Sequence, residues 1–556
     1  VNRWIAFVSF CLVLGVSVYL LSVRLHSTPV LLDFLPVETL AVVEGRNGAQ
    51  TLAGWHQSVV ADVVRRFDVL AVLEQHDKRG QGRLPWQMTF ALLAGREKIP
   101  PPLLQLLAHE GLVAFLPPTF ADLPRPHAVL DRLVMILHID NGTPAEAWLI
   151  DWLGPLRTRT TQEYQGQPLI TLEFASGRSV VYCRYRGVLL AATNREPIER
   201  CINQYRQRMV QVQTGMQLNH PYQRLKRLAG GELDVFFYAD LKALSSWLPF
   251  PVKAEHQALL PQHLAVYQQS GPKQQRLGTV ALVDQGRSVP LTTFHPPTRP
   301  MPDPLQDTLS AETCFSFWTN WLNPQTFWEW GLRAEIPELS GLMTMFAQHL
   351  EAATGHTLAA FFNALGSELG VFIDQQRAPR QTPRTMACVA LAIHDQNLVR
   401  TLVSQLLAGM QAVTVVTKGV EIVSVVLAGG LLQPAYAVLP HQLIVADSVE
   451  LIERLPVQQR GVLTSGKPGP SGEGERTGNF FLFVQTGMLA ERLLPFVTTL
   501  RKENRELFNT LSLKNGQLVH QVAVAVLTGL KDVAHSRVRG FAFGDELLLE
   551  MEYTLR

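Results

Sequence analysis

Tyr182–Arg200 reads YCRYRGVLLAATNREPIER and Tyr436–Arg454 reads YAVLPHQLIVADSVELIER, and the second overlays the first at one constant offset with no gap. In each stretch the apolar pattern predicts a strand, a tight turn, a second apolar strand and a helix. Thr193 or Asn194 in the first, and Asp447 or Ser448 in the second, are residue types whose side-chain oxygens cap a helix N-terminus. They stand just ahead of Ile198-Glu199-Arg200 and Ile452-Glu453-Arg454.

Further segments match in the same order on either side. Leu35-Pro36-Val37-Glu38-Thr39-Leu40-Ala41-Val42-Val43 has the layout of Leu309-Ser310-Ala311-Glu312-Thr313-Cys314-Phe315-Ser316-Phe317. Glu110–Phe115 answers Glu368–Phe372, and Leu133–Asp140 answers Cys388–Asp395. Each half then reads strand (Leu133–Ile139; Cys388–Ile393), helix (Pro144–Leu153; Gln396–Leu407), strand (Leu169–Phe174; Glu421–Leu427), strand, strand, helix. A closing module follows, Leu233–Tyr238 or Asn479–Val484 with a helix, ending in a hairpin at Gly278–Phe294 or Gly540–Tyr553. This order predicts an α+β fold: two duplicated halves, each a mainly antiparallel or mixed sheet packed with helices on one face. The predicted boundaries are 33–297 for the first half (main module 33–205, closing module 231–297) and 308–556 for the second (308–456 and 479–556). A Pro-rich linker at 298–307 divides them, and a Gly-rich flexible loop occupies 461–478.

Residues 1–24 are predicted to form a transmembrane signal-anchor. Trp4–Val23 carries no charge and is bracketed by Arg3 and Arg24; a helix of that length reaches about 30 Å, the thickness of a bilayer's hydrocarbon core. A cleaved secretory signal is the alternative. Retention is favoured, because the run exceeds the ~7–15 apolar residues of such signals and no Ala-x-Ala-like site precedes Arg24. The flanking arginines are balanced and leave the positive-inside rule little to count. A segment that begins as an export signal places the remaining chain outside the cytoplasm, so the expectation is a single-pass protein of a bacterial inner membrane with its ectodomain in the periplasm. Two features carry a family resemblance: Leu35-Pro36-Val37-Glu38-Thr39 after that helix, and the apolar strand, Ala-Asp/Thr-Ser/Asn, helix ending at Leu189–Ile202 and Leu443–Leu455. On them the chain resembles an uncharacterised bacterial membrane-anchored family of unknown function with a Leu-Pro-x-x-Thr opening. The likeness covers most of the chain, although Ser310 stands where the pattern has proline in the second copy. It implies no activity and no catalytic residues.

With 556 residues, 47% hydrophobic and 17% charged, the chain is too apolar to remain disordered. Lys plus Arg (49) nearly balances Asp plus Glu (47), so no overall field steers it to nucleic acid, and no nucleic-acid partner is expected. Cys183, Cys201, Cys314 and Cys388 lie in apolar stretches without zinc-ligand spacing. They read either as disulfides of an oxidising compartment or, the favoured reading, as buried free thiols.

The sequence holds no His-Glu-x-x-His, Gly-x-Ser-x-Gly, Walker lysine loop or dinucleotide glycines. Gly466–Gly472 mimics a phosphate loop, but its two prolines remove amide donors that such a cradle needs. His109-Glu110, His138 with Asp140, and His394-Asp395 carry acid–base groups; the plainer reading is strand-end polar residues meeting water. Glu199-Arg200 and Glu453-Arg454 read as solvated helix faces.

Within Phe315–Trp330 (FSFWTNWLNPQTFWEW), Trp318, Trp321, Phe327, Trp328 and Trp330 form the candidate ligand or partner surface. They could line a groove, touch a membrane interface or anchor a partner, and they could equally fill an inter-domain core, which is favoured. No catalytic residue, cofactor or metal site is predicted. The favoured role is non-enzymatic binding or scaffolding of another envelope protein or lipid, with a lipid or hydrophobic-ligand carrier and an unrecognised hydrolase as the alternatives.

Overall fold

The structure is a computed structural model that describes residues 30–46, 110–117, 131–140, 144–210, 215–245, 261–271, 273–283, 299–304, 309, 312–321, 323–333, 337–376, 384–417, 419–430, 432–454, 477–503, 523–524 and 526–556. The chain divides into two units.

The first unit holds β1 (Ala41–Gly45), β2 (Gly111–Phe115), β3 (Leu133–His138), β4 (Leu156–Tyr164), β5 (Gln167–Phe174), β6 (Ser179–Tyr185), β7 (Val188–Ala192) and β8 (Val235–Asp240). Its helices are α1 (Ala145–Leu153), α2 (Arg195–Val210), α3 (His220–Ala229, as far as Arg227) and α4 (Leu241–Ser245). Every ladder is antiparallel, in the order β8-β1-β2-β3-β7-β6-β5-β4. Two of its hairpins turn on Gln165-Gly166 and Arg186-Gly187, each pair with φ of 51° and 78°. Positive φ at both positions is the turn geometry that matches the right-handed twist of the flanking strands.

The second unit holds β9 (His263–Ser270), β10 (Gln274–Leu282), β11 (Met301–Pro302), β12 (Thr313–Thr319), β13 (Leu365–Gln376), β14 (Arg384–Ile393), β15 (Ala412–Thr417), β16 (Val420–Val425), β17 (Ala435–Val438), β18 (Gln442–Ala446), β19 (Thr477–Gly478), β20 (Phe480–Val484), β21 (Val533–Phe543) and β22 (Glu546–Leu555). Its helices are α5 (Pro324–Arg333), α6 (Pro337–Thr354), α7 (Leu358–Ala364), α8 (Gln396–Leu406), α9 (Val449–Arg454) and α10 (Thr486–Glu503). The long run of ladders is again antiparallel, in the order β9-β10-β22-β21-β20-β12-β13-β14-β18-β17-β16-β15. From β20 to β15 that order repeats the first unit strand for strand. The two-residue strands β11 and β19 pair separately.

Both faces of each sheet are covered near its centre. All five residues of β7 are buried, the signature of a strand with a packed layer on each side. Leu189 and Ala191 pack with Leu137, Tyr182 and the α1 residues Ala145 and Leu149. On the opposite face Tyr185 meets Tyr205 of α2 edge-on, centroids 5.6 Å apart, and Phe34 stacks on Tyr205 at 4.4 Å. The second unit divides in the same way. Ile444 joins Trp318, Phe372, Cys388 and the α9 residues Leu451 and Ile452, whereas its neighbour Leu443 packs with Val399 of α8 and Ala364 of α7. Each fully buried aliphatic side chain contributes about 1.5–3 kcal/mol.

These observations correct the expected fold, a mixed or antiparallel sheet with helices on one face behind a membrane-spanning helix. The ladders are antiparallel throughout and helices lie on both faces, because a run such as VLLAA, buried at every position, is too continuously apolar to leave one side wet. Among the described residues no helix is long and apolar enough to cross a membrane; Trp4–Val23 lies outside them. Two strands also went unread, β4 and β15, so each half holds four strands between its two helices rather than three. The segment 231–297 is divided. β8 pairs with β1 in the first unit, β10 pairs with β22 and with β9 in the second, and Gly278 sits in the middle of β10 rather than opening a hairpin. Within the Pro-rich 298–307, Met301 and Pro302 pair with Gly478 and Thr477 at the end of the 461–478 loop; most of that loop lies outside the described residues.

Candidate functional site

The most elaborate polar assembly is centred on the β10–β22 ladder, whose middle pair is Gly278 opposite Glu550. Tyr267 on β9 stands opposite Gly278, and Arg539 on β21 stands opposite Glu550. The glycine is what lets them meet: a Cβ there would lie 2.2 Å from Tyr267 Cζ, so the phenol occupies the space a side chain would take. Tyr267 Oη donates to Glu550 Oε2 at 2.6 Å. Arg276 donates to the same oxygen through Nε, and Arg539 Nη2 pairs with Oε1 at 3.3 Å. The Arg276 guanidinium lies over the Tyr267 ring, 5.0 Å from its centroid. The row continues through Arg539, Phe481, Trp318, Gly370, Ala390, Ile444 and Ala437. The ionic cluster is therefore one end of the row that forms the second unit's core.

Two related triads occur in the first unit. Glu44 of β1 accepts from Tyr222 and from Lys226 Nζ at 2.7 Å, and the same ammonium lies 2.7 Å from the Tyr222 hydroxyl. Glu146 of α1 accepts from Tyr182 Oη at 2.6 Å and from Arg159 Nε at 3.0 Å. Their acidities show what the assemblies do. Burial would raise the Glu550 carboxyl, but Arg539, Tyr267 and Arg276 together hold it below the usual carboxylate range. The hydrogen bond from Tyr182 lowers Glu146, against burial and with help from Arg159. Burial, then the carboxylate partner, pushes Tyr267 and Tyr182 up to about 12, and Tyr222 is raised for the same reasons. At neutral pH these phenols stay protonated and the Glu146 and Glu550 carboxylates ionised, so the assemblies act as clamps that set register rather than as acid–base pairs poised to exchange protons.

Of the acid–base residues singled out in the sequence, the structure brings His138 and Glu110 together and leaves the others apart from them among the described residues. His138 Nε2 is 3.8 Å from Glu110 Oε2, with Arg46 Nε 3.7 Å from Oε1; Asp140 is exposed, and His109 lies outside the described residues. His394 is exposed, while Asp395 caps α8 by accepting from Leu398 N at 2.9 Å. Asn194 accepts from Glu196 N at the start of α2, but Asp447 accepts from Ala387 N and so ties down β14 instead. Arg200 donates to the Pro117 carbonyl at 2.7 Å, and Glu453 accepts from Thr417 at 2.7 Å, fastening α9 to β15.

The aromatic cluster is not gathered into one platform. Trp318 is fully buried, its ring 5.8 Å from Phe481. Trp321 is half-buried and edge-on to Phe480 at 5.7 Å. Trp328, on α5, packs on Phe346 of α6 and Phe362 of α7, at 5.9 Å and 5.7 Å. Phe327 and Trp330 also lie on α5, but their side chains are outside the description. Cys183, Cys201, Cys314 and Cys388 are free thiols.

The feature that sequence reading missed is a pair of terminal strands. Among the described residues β4 and β15 occupy equivalent places, each the last strand of its half's run of ladders. β4 (LRTRTTQEY) is exposed from Arg157 to Glu163 and carries two arginines and a glutamate. β15 (AVTVVT) carries no charge, and Ala412, Val413, Thr414 and Val416 are exposed, Val416 at 70%. Met410, Leu427 and Leu432 are exposed close by in sequence, and Val426 N donates to the Gln411 carbonyl, which brings the 427–432 turn beside the β15 entry. Six uncharged residues rich in valine and threonine are the signal that could have found this edge. No protein-family model, no curated protein and no solved structure matches the chain.

Proposed function

We propose that the chain is a non-enzymatic binding scaffold that takes up an extended polypeptide segment along β15. The observation that carries this reading is the contrast between the two terminal strands. An edge strand presents a row of backbone donors and acceptors ready to pair with another strand, and charged side chains are a usual means of discouraging it. β4 has those charges and β15 has none. Strand addition draws its affinity from main-chain hydrogen bonds and its selectivity from alternate side chains, so β15 favours an uncharged segment of β-branched residues. The carboxylate–tyrosine–cation clamps support the same role, since they stiffen the sheets that would present such an edge.

The test uses fluorescein-labelled peptides followed by anisotropy: an uncharged Val/Thr-rich peptide, and a matched one with lysine and glutamate at alternate positions. The uncharged peptide should bind, and Val416→Lys should weaken it at least tenfold. Equal binding of both peptides, or unchanged binding to Val416→Lys, would overturn the reading.

A further inference from the structure

We propose that the occupant of the β15 edge is β15 of a second copy of this chain, in an antiparallel ladder about a two-fold axis. This rests on the reading of β15 as a binding edge and names its partner.

Three observations support self-pairing. The first is charge. Two copies of β15 bring no charged residue of either strand opposite another, whereas β4 carries Arg157, Arg159 and Glu163, and charged side chains along an edge discourage pairing with another strand. The second is the distribution of exposed apolar side chains. Met410 at 47%, Val413 at 51% and Val416 at 70% lie on or just before this one edge, where a two-fold would bring the two sets together. The third is a precedent inside the molecule. β10 and β22 are each the second strand of a closing hairpin, and they pair antiparallel over nine residues centred on Gly278 and Glu550. The duplicated chain already joins equivalent strands edge to edge in the way that a two-fold joins identical ones.

Symmetry restricts the register. A two-fold that makes two identical strands antiparallel neighbours runs perpendicular to the sheet, so each side chain keeps its own face. Directly opposed residues share a face, and faces alternate along a strand. Opposed residues must therefore differ by an even number of positions, and one residue of the ladder stands opposite its own copy.

The experiment combines sedimentation equilibrium with single-cysteine cross-linking on the full chain. The unaltered protein should sediment as a dimer in the micromolar range, and Val416→Lys and Thr414→Pro should both be monomers with unchanged circular dichroism. Of Val413→Cys, Thr414→Cys and Val415→Cys, one should form an intermolecular disulfide under mild oxidation well above the unaltered chain, because Cα atoms opposed in an antiparallel pair are about 4.5–5.5 Å apart, within disulfide reach. A monomer at all concentrations, or a dimer indifferent to Val416→Lys and to all three cysteines, would overturn self-pairing. If the uncharged peptide still bound such a monomer, only the choice of partner would fall; if it did not, the edge reading would fall as well.

Discussion

Replacing Glu550 by glutamine removes one charge from the centre of the β10–β22 ladder while keeping nearly the same shape. The Glu550 side chain is 3% exposed, and those of its partners Arg276 and Arg539 are 12% and 17% exposed. Tyr267 can still donate to the amide oxygen, but the NH2 that replaces the other carboxylate oxygen cannot accept from Arg539, so the change removes the charge together with one acceptor. Two guanidinium groups would then share a largely dry site without the Glu550 charge between them. Removing one partner of a buried pair costs about 3–5 kcal/mol, a fall in melting midpoint of about 4–7 °C for a unit of this size.

Circular dichroism melts at several pH values measure the effect. Because the Glu550 carboxyl is held below its ordinary value, its contribution is complete above the unfolded carboxyl pKa of about 4.3 and disappears as pH falls through the lower folded value. The gap between the unaltered protein and Glu550→Gln should therefore be constant from neutral pH down to about 5 and close below that. Glu552→Gln, on the same strand with an exposed bond to Gln274, should shift stability by less than about 1 kcal/mol. A shift at neutral pH no larger for Glu550→Gln than for Glu552→Gln, or a gap that widens in acid, would refute the reasoning.

Two further outcomes follow from packing and burial. Gly278→Ala should cost about 1–3 kcal/mol in urea melts, because its Cβ would meet Tyr267 Cζ at 2.2 Å, whereas Gly45→Ala, with nothing within 4 Å, should be close to neutral; equal costs would contradict the account of the Tyr267 cavity. Burial raises the Cys183 and Cys201 thiols to about 11 and about 12, and raises Cys388 as well. Iodoacetamide labelling read by peptide mapping should therefore find these three far slower than half-buried Cys314, and Cys201 labelling as fast as Cys314 would count against the packing of α2.

What was legible in the sequence is local. The stretch Tyr182–Arg200 does form strand, turn, strand and helix as β6, β7 and α2, and Tyr436–Arg454 does so as β17, β18 and α9. Turn chemistry at Arg186-Gly187 and the cap at Asn194 are likewise decided by a few neighbouring residues. β4 and β15 escaped because a terminal strand has little buried face, and without burial there is no alternation to read.

Tertiary structure alone decided which strands meet. The row Tyr267, Gly278, Glu550, Arg539, Phe481, Trp318 joins residues far apart in the chain, so no window of sequence contains it. A residue's own pattern reports whether it is buried. Its neighbour across the ladder is chosen by complementarity between strands that only the folded chain brings together: here a missing Cβ at Gly278, a phenol that fills its place, and a carboxylate that needs two guanidinium groups.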